Sequence, residues 1–255
     1  MSYENINAKT SIVFINGMRN TLEDARNSAN LIQRDFLNKQ VGIVNNATRG
    51  LVNDVLEYNP NTLSVTDFII ANQIQKLSPN TIYTAHSAAN KDIINANFLN
   101  ATTNTETKYK LISVGSPIAE SELRESTNAV GAELVRQVNH PYDPVSGILN
   151  SGEKESFANS AFKNARLTGA MAGTTLGSSI GGAFGLIPGM VIGGAIGGIV
   201  GGAAIGLGVS ALRLEKYHSF ESYYNNPEFQ LQQTIQRLLM QDAMKGINEK
   251  GLGDD

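Results

Sequence analysis

The chain has 255 residues, of which 41% are hydrophobic and 17% charged, proportions typical of a folded globular protein with a sizeable core. Its formal net charge of -3, with lysines and arginines scattered along the chain, argues against a nucleic-acid partner. Because cysteine is absent, disulfides, cysteine-ligated zinc and a thiol nucleophile are excluded. The opening segment MSYENINAKT lacks the basic and apolar regions of a secretory signal, so we expect any export to be signal-independent.

Short apolar runs alternate with helical patterns before the middle of the chain. The apolar runs predict strands at 11–15, 40–44, 81–86, 110–115 and 133–138. Helical periodicity predicts helices at 21–37, 49–57, 64–77, 88–99 and 119–130, and a last one at 227–247. Thr21 and Asp24 have the spacing of a capping box at the start of the first helix. This alternation predicts an α/β fold with a mostly parallel sheet and helices on both faces.

The composition changes abruptly in the second half of the chain. The 46 residues from Leu167 to Leu212 carry no charge. Glycine recurs there at every fourth position, at Gly169, Gly173, Gly177, Gly181, Gly185, Gly189, Gly193, Gly197 and Gly201. Pro188 divides the segment into two stretches of roughly 20 residues, each long enough to span a bilayer as a helix. We therefore predict a helical hairpin at 151–213, inserted between the two parts of a core domain, 1–150 and 214–255.

The stretch TIYTAHSAANKD, residues 81–92, has a serine between a predicted strand and a predicted helix. A catalytic serine on such a tight turn requires small residues two positions before and after it, and Ala85 and Ala89 meet that requirement around Ser87. Alanine replaces both glycines of the usual G-x-S-x-G pattern. The alternative is that Ser87 only caps the helix that starts at Ala88.

A serine nucleophile needs a base, and the chain contains three histidines. His86 adjoins Ser87, so we expect it to point away from the serine and to serve in packing. His140 follows a predicted strand, whereas His218 precedes the last predicted helix. Asp143 lies in a loop after a strand, where it could orient an imidazole. Alternatively, Asp143 is only a turn residue ahead of a proline, and His218 a surface histidine. Together with the serine, however, they have the order of a Ser-Asp-His catalytic triad.

Four segments resemble motifs of the α/β-hydrolase lipases and esterases. They are FINGM at 14–18, TAHSAAN at 84–90, NHPYDPV at 139–145 and KYHSF at 216–220. The resemblance implies an α/β-hydrolase-like fold in which Ser87 is the nucleophile, His218 the base and Asp143 the orienting acid.

The same resemblance implies an oxyanion hole. Its backbone N–H donors would come from Ala88 and Met18, with Gly17 allowing the close approach. Asn16 and Gly17 stand where such enzymes often have His-Gly. No cofactor and no metal are expected.

The glycine-rich segment resembles glycine zippers of bacterial toxins that enter a target membrane. Combined with the lipase-like core, it implies a secreted antibacterial phospholipase effector exported by a specialised secretion system. Its substrate would be membrane phospholipid at a target membrane, and its possible protein partners a cognate immunity protein and a secretion-system component. Two alternatives remain: a pore-forming or membrane-anchored toxin on a non-catalytic hydrolase scaffold, and a soluble small-substrate esterase whose glycine-rich segment is a lid.

Overall fold

The structure is a computed structural model that contains a six-stranded sheet and its covering helices. It describes residues 2–7, 9–17, 21–37, 39–46, 63–77, 79–103, 105–141, 143, 146 and 217–251. The strands are β1 (Ser2–Glu4), β2 (Thr10–Asn16), β3 (Gln40–Asn45), β4 (Ile82–His86), β5 (Lys110–Val114) and β6 (Glu133–Val138). The helices are α1 (Leu22–Asp35), α2 (Val65–Lys76), α3 (Ala89–Thr102), α4 (Glu120–Asn128), α5 (Phe220–Tyr224) and α6 (Leu231–Gly251).

The sheet is mixed, with the strand order β1-β3-β2-β4-β5-β6. β1 pairs antiparallel with β3, and the other neighbouring strands pair in parallel. The chain passes outward from β2 to β3 and then returns to the other side of β2 to form β4, so the direction of winding reverses between β2 and β4. In open α/β sheets, ligands bind beyond the carboxyl ends of the strands at such a reversal. Gly17 and Ser87, which directly follow β2 and β4, therefore lie at the expected position for a site.

Both faces of the sheet are buried. Successive side chains of a strand point to opposite faces, and β2 contributes Ile12 and Phe14 to one hydrophobic cluster but Val13 and Ile15 to the other. The first cluster includes residues of α1, α5 and α6, whereas the second includes residues of α2, α3 and α4. A strand covered on both sides has an uninterrupted apolar sequence, which explains the run SIVFI. The predicted α/β fold with helices on both faces is confirmed.

Two helices begin with capping boxes. At α1, the Thr21 hydroxyl accepts a hydrogen bond from the Asp24 backbone N–H at 3.1 Å, while Asp24 Oδ2 accepts one from the Thr21 N–H at 2.7 Å. Ser64 and Asp67 make the same reciprocal pair at α2. Each pair satisfies two backbone donors that a helix start otherwise leaves free. The cap predicted at Thr21 is confirmed.

The predicted strands match the observed ones to within a residue at each end, but the predictions were wrong for two elements and for several helix ends. α3 ends at Thr102 rather than at 99, and α6 ends at Gly251 rather than at 247. β1 and α5 were not predicted. The last helix begins at Leu231 rather than at 227, because Gln230 has a φ of 49° and the Phe229 N–H bonds to Asn226 O in a turn. A left-handed residue cannot continue a right-handed helix, so α6 starts after it.

Two predictions fall on residues that the structure does not describe: the helix at 49–57 and the helical hairpin at 151–213 with its glycine repeat. None of the helices in the described part of the chain is long and apolar enough to cross a membrane.

Candidate active site

Ser87 lies on a strained turn between β4 and α3. Its φ is 60°, in the left-handed region that costs a residue with a side chain about 1 kcal/mol. Hydrogen bonds hold the turn: the Ser87 N–H donates to Val114 O at 2.9 Å, and Ser87 O accepts from Asn90 Nδ2 at 2.8 Å and from the Asn90 backbone N–H at 3.2 Å. The N-cap of α3 is Ala88, and no side chain caps that helix. The alternative that Ser87 is a helix cap is therefore wrong, and its hydroxyl has a different partner.

That partner is His218. Its Nε2 lies 2.9 Å from Ser87 Oγ, and its Nδ1 lies 2.8 Å from Asp143 Oδ2. A carboxylate only accepts hydrogen bonds, so Nδ1 carries the proton in the neutral ring and Nε2 is left to accept the serine O–H. The three residues are far apart in sequence: Ser87 and His218 are 131 positions apart, and Asp143 and His218 are 75 positions apart. The fold thus brings all three residues of the predicted triad into one hydrogen-bonded chain.

The end of β2 packs directly against the serine turn. A Cβ added to Gly17 would lie 2.5 Å from the His86 carbonyl oxygen, 2.6 Å from Ser87 Cβ and 3.0 Å from Ala88 N. Only glycine allows this approach, and it brings the chain that leaves β2 beside the backbone N–H of Ala88. A hole for a developing oxyanion requires two such donors. Met18, the second donor expected from the sequence, lies outside the described residues.

The two alanines that flank the serine turn are where the motif requires small residues. Ala85 and Ala89 are both fully buried, at 0% exposure. Larger side chains at these positions would have to displace the neighbouring core.

Asp143 is buried completely and receives a second side-chain donor in addition to His218. The Tyr223 hydroxyl donates to Asp143 Oδ2, the same oxygen that faces the imidazole. The backbone N–H of His140 donates to the Tyr223 hydroxyl oxygen at 3.0 Å. Burial, followed by the charge of Asp143, raises the pKa of Tyr223 well above its usual value. Tyr223 therefore keeps its proton and remains a donor to the carboxylate.

A glycine makes room for this acid. Gly115, directly after β5, has a φ of 57°, and an added Cβ would lie 3.1 Å from Asp143 Oδ2 and 3.2 Å from the Tyr223 hydroxyl. A side chain there would be strained by its backbone and would crowd both groups.

His86 contacts the backbone of His218 rather than the hydroxyl of Ser87. Its Nε2 lies 2.7 Å from the His218 carbonyl oxygen, so Nε2 carries the proton and donates it. The two rings lie 4.9 Å apart between centroids. Burial lowers the pKa of His86 to about 3, so the ring is uncharged at neutral pH. The expectation that His86 points away from Ser87 and serves in packing agrees with this position, but its hydrogen bond to His218 was not predicted.

His140 lies beside the acid rather than beside the serine. Its ring is 4.7 Å from that of Tyr217 between centroids, and its backbone carbonyl accepts from the Asp143 N–H at 2.9 Å. Burial lowers the pKa of His140. Of the three histidines, His218 is the one whose ring nitrogen meets the serine hydroxyl.

Sequence reasoning missed Tyr223. Its only local signal is its position on the helix that directly follows His218, with Ser219 as the cap of that helix. Tyr223 and Asp143 are 80 positions apart, so no short-range sequence pattern predicts their contact.

Comparisons of the chain with family models, with curated proteins and with solved structures find no match.

Proposed function

We propose that the chain is a serine carboxylic-ester hydrolase that cleaves acyl esters of membrane lipids. The observation that carries this proposal is the hydrogen-bonded chain from Ser87 through His218 to buried Asp143, with the serine on a left-handed strand-to-helix turn. Such a turn, followed by the acid and then the histidine in sequence, is the arrangement of the α/β-hydrolases. We therefore assign the fold to that type.

In the first half of the reaction, Ser87 Oγ attacks the ester carbonyl carbon while its proton passes to His218 Nε2. The resulting imidazolium donates from Nδ1 to Asp143, whose charge stabilises it. The tetrahedral intermediate collapses when the C–O bond to the alcohol breaks and His218 returns the proton to the leaving oxygen. The acyl group is then esterified to Ser87.

In the second half, water replaces the alcohol. His218 removes a proton from the water, the hydroxide adds to the acyl carbon, and the proton returns to Ser87 Oγ as the free fatty acid leaves. The negative oxygen of each tetrahedral intermediate is stabilised by the N–H of Ala88 and by a second donor that we assign to Met18.

The choice of membrane lipid as substrate rests on the sequence rather than on the site. The uncharged segment from Leu167 to Leu212, with its glycines at every fourth position, has the length and composition of a membrane hairpin. We propose that it docks on or inserts into a target membrane and that the protein is an antibacterial effector with a cognate immunity protein, exported through a specialised secretion system. The assembled triad favours this enzyme over a toxin on a scaffold without catalysis.

The experiment is a lipid-hydrolysis panel analysed by mass spectrometry. Wild-type protein should release fatty acid and lysolipid from phospholipid vesicles, whereas Ser87→Ala should release neither. Ser113→Ala is the matched control, because Ser113 is also a fully buried serine, in β5, but takes no part in the triad. Equal release by the wild type and Ser87→Ala would refute the proposal.

A soluble small-substrate esterase is the second candidate, because the triad alone does not select a lipid. Flotation with vesicles separates the two. The lipase should float with the vesicles, and a soluble esterase should remain at the bottom while it still hydrolyses a short water-soluble ester.

A further inference from the structure

We infer that Tyr223 is a positioning residue of the triad, whose hydroxyl fixes the Asp143 carboxylate against His218. This inference rests on the proposed function, since it concerns the acid of the same site. It adds a fourth side chain to the three that the sequence predicts.

The geometry makes Oδ2 of Asp143 a shared acceptor. The His218 ring donates to it from Nδ1 at 2.8 Å, and the Tyr223 hydroxyl donates to it from the other side. A carboxylate oxygen has two acceptor positions, so these two donors occupy both. The carboxylate cannot rotate away from the imidazole without breaking the bond to the tyrosine as well.

The direction of the Tyr223 O–H is itself fixed. The backbone N–H of His140 donates to the hydroxyl oxygen at 3.0 Å, which leaves the hydroxyl proton to point at Asp143. The ring is fully buried and stacks on Phe229 with centroids 5.4 Å apart. His140 also accepts from the Asp143 N–H through its carbonyl, so one residue orients both partners of the bond.

Charge explains why the second donor is needed. Asp143 has no exposed surface, and an ionised carboxylate removed from water is stable only when hydrogen bonds replace its hydration. A protonated Asp143 could neither select the Nδ1–H tautomer of His218 nor stabilise the imidazolium. Bonds to a charged acceptor are the strong ones, so the tyrosine hydroxyl replaces part of the hydration that the carboxylate loses on burial.

Tyr224 provides a matched control on the same short helix. It is also buried, and its hydroxyl donates to a carboxylate oxygen, Asp35 Oδ2, at 3.0 Å. Replacing either tyrosine with phenylalanine deletes one hydroxyl that is bonded to an aspartate. Only Tyr223 contacts the triad.

The test compares Tyr223→Phe and Tyr224→Phe in the full-length protein with p-nitrophenyl butyrate as substrate. We expect Tyr223→Phe to lower kcat about 10-fold with little change in KM, the size of one lost bond to a charged group. The acid limb of its kcat/KM profile should move to higher pH, because a carboxylate that has lost a donor binds the imidazolium proton of His218 more strongly. Tyr224→Phe should leave kcat, and the pH at which kcat/KM falls on the acid side of the profile, at their wild-type values.

Equal kinetics and equal pH profiles in the two variants would overturn the inference while leaving the proposed function intact. Assaying Ser87→Ala in the same experiment distinguishes failure of the inference from failure of the proposed function. If Ser87→Ala still hydrolyses the ester, the proposed function is wrong and this inference with it.

If Tyr223→Phe does not fold, meta-fluorotyrosine incorporated at position 223 serves instead, because it preserves the ring and makes the hydroxyl a stronger donor. The acid limb should then move to lower pH, and an unmoved limb would overturn the inference.

Discussion

Gly17→Ala should damage catalysis far more than its chemical size suggests. The added Cβ would lie 2.5 Å from the His86 carbonyl oxygen and 2.6 Å from Ser87 Cβ, whereas unstrained carbon atoms approach to roughly 3.5 Å. The serine turn must therefore yield by about 1 Å, since the atoms in contact belong to its backbone and Cβ rather than to a flexible side chain. A displacement of this size at a reacting group costs about 100-fold in rate.

Gly42→Ala is the matched control. Its Cβ would meet the Ile6 side chain at 2.7 Å and that of Thr10 at 3.1 Å, so the crowding is similar but lies at β3, away from the serine turn. Overpacking at either glycine should lower the free energy of unfolding by about 1–3 kcal/mol, measured by urea denaturation. With p-nitrophenyl butyrate, only Gly17→Ala should lose about 100-fold in kcat/KM. If Gly17→Ala and Gly42→Ala have equal kcat/KM, the close packing of Gly17 against the serine turn does not matter for catalysis and the prediction is wrong.

Three further predictions concern the acid, the supporting histidine and the glycine repeat. Asp143→Asn should lower kcat by about 10⁴-fold in steady-state assays, because the amide favours the wrong tautomer of His218, and a loss below 10-fold would contradict its role. Because the pKa of His86 is lowered to about 3 in the folded state, the unfolded state alone takes up its proton as the pH falls below the usual value of 6.5. The difference in the free energy of unfolding between the wild type and His86→Gln, measured by urea denaturation, should therefore be largest above pH 6.5. It should shrink by roughly 2 kcal/mol between pH 7 and pH 5, whereas a constant difference would show that His86 is not held neutral. Replacing Gly185 and Gly193 together with leucine should abolish vesicle hydrolysis but leave the soluble ester as a substrate, and unchanged vesicle hydrolysis would contradict a packing role for the repeat.

The strands of the sheet could be predicted because their burial requires a run of apolar residues that is visible in the sequence. A strand covered on both faces is mostly apolar, and the runs SIVFI and KLISV show this in the sequence without any knowledge of the fold. β1 has no such apolar run. Its three residues, Ser2–Glu4, lie at the edge of the sheet and pair only with β3, so neither an apolar run nor a periodicity develops.

The candidate triad could be predicted because its serine and its acid each follow a predicted strand, and because the order of the three residues along the chain is that of a known type of triad. Ser87 follows β4 directly, and Asp143 lies just beyond β6. The residues that contact the triad from α5 and β4 could not be predicted in this way. Tyr223 and His86 reach their partners through hydrogen bonds between residues 80 and 132 positions apart, which only the completed packing of α5 on the sheet brings together. Contacts of this kind have no sequence pattern, because any buried tyrosine or histidine would look the same.

The most direct test of the central claim is labelling with a fluorophosphonate, which reacts only with an activated serine. We expect one label per folded molecule, mapped to Ser87 by peptide mass spectrometry. The label should be absent in Ser87→Ala and form much more slowly in His218→Ala, because the hydroxyl has lost its base. Labelling of a different serine would contradict the proposed mechanism. So would labelling of Ser87 in His218→Ala at the wild-type rate, because the hydrogen-bonded chain would then have no part in activating the nucleophile.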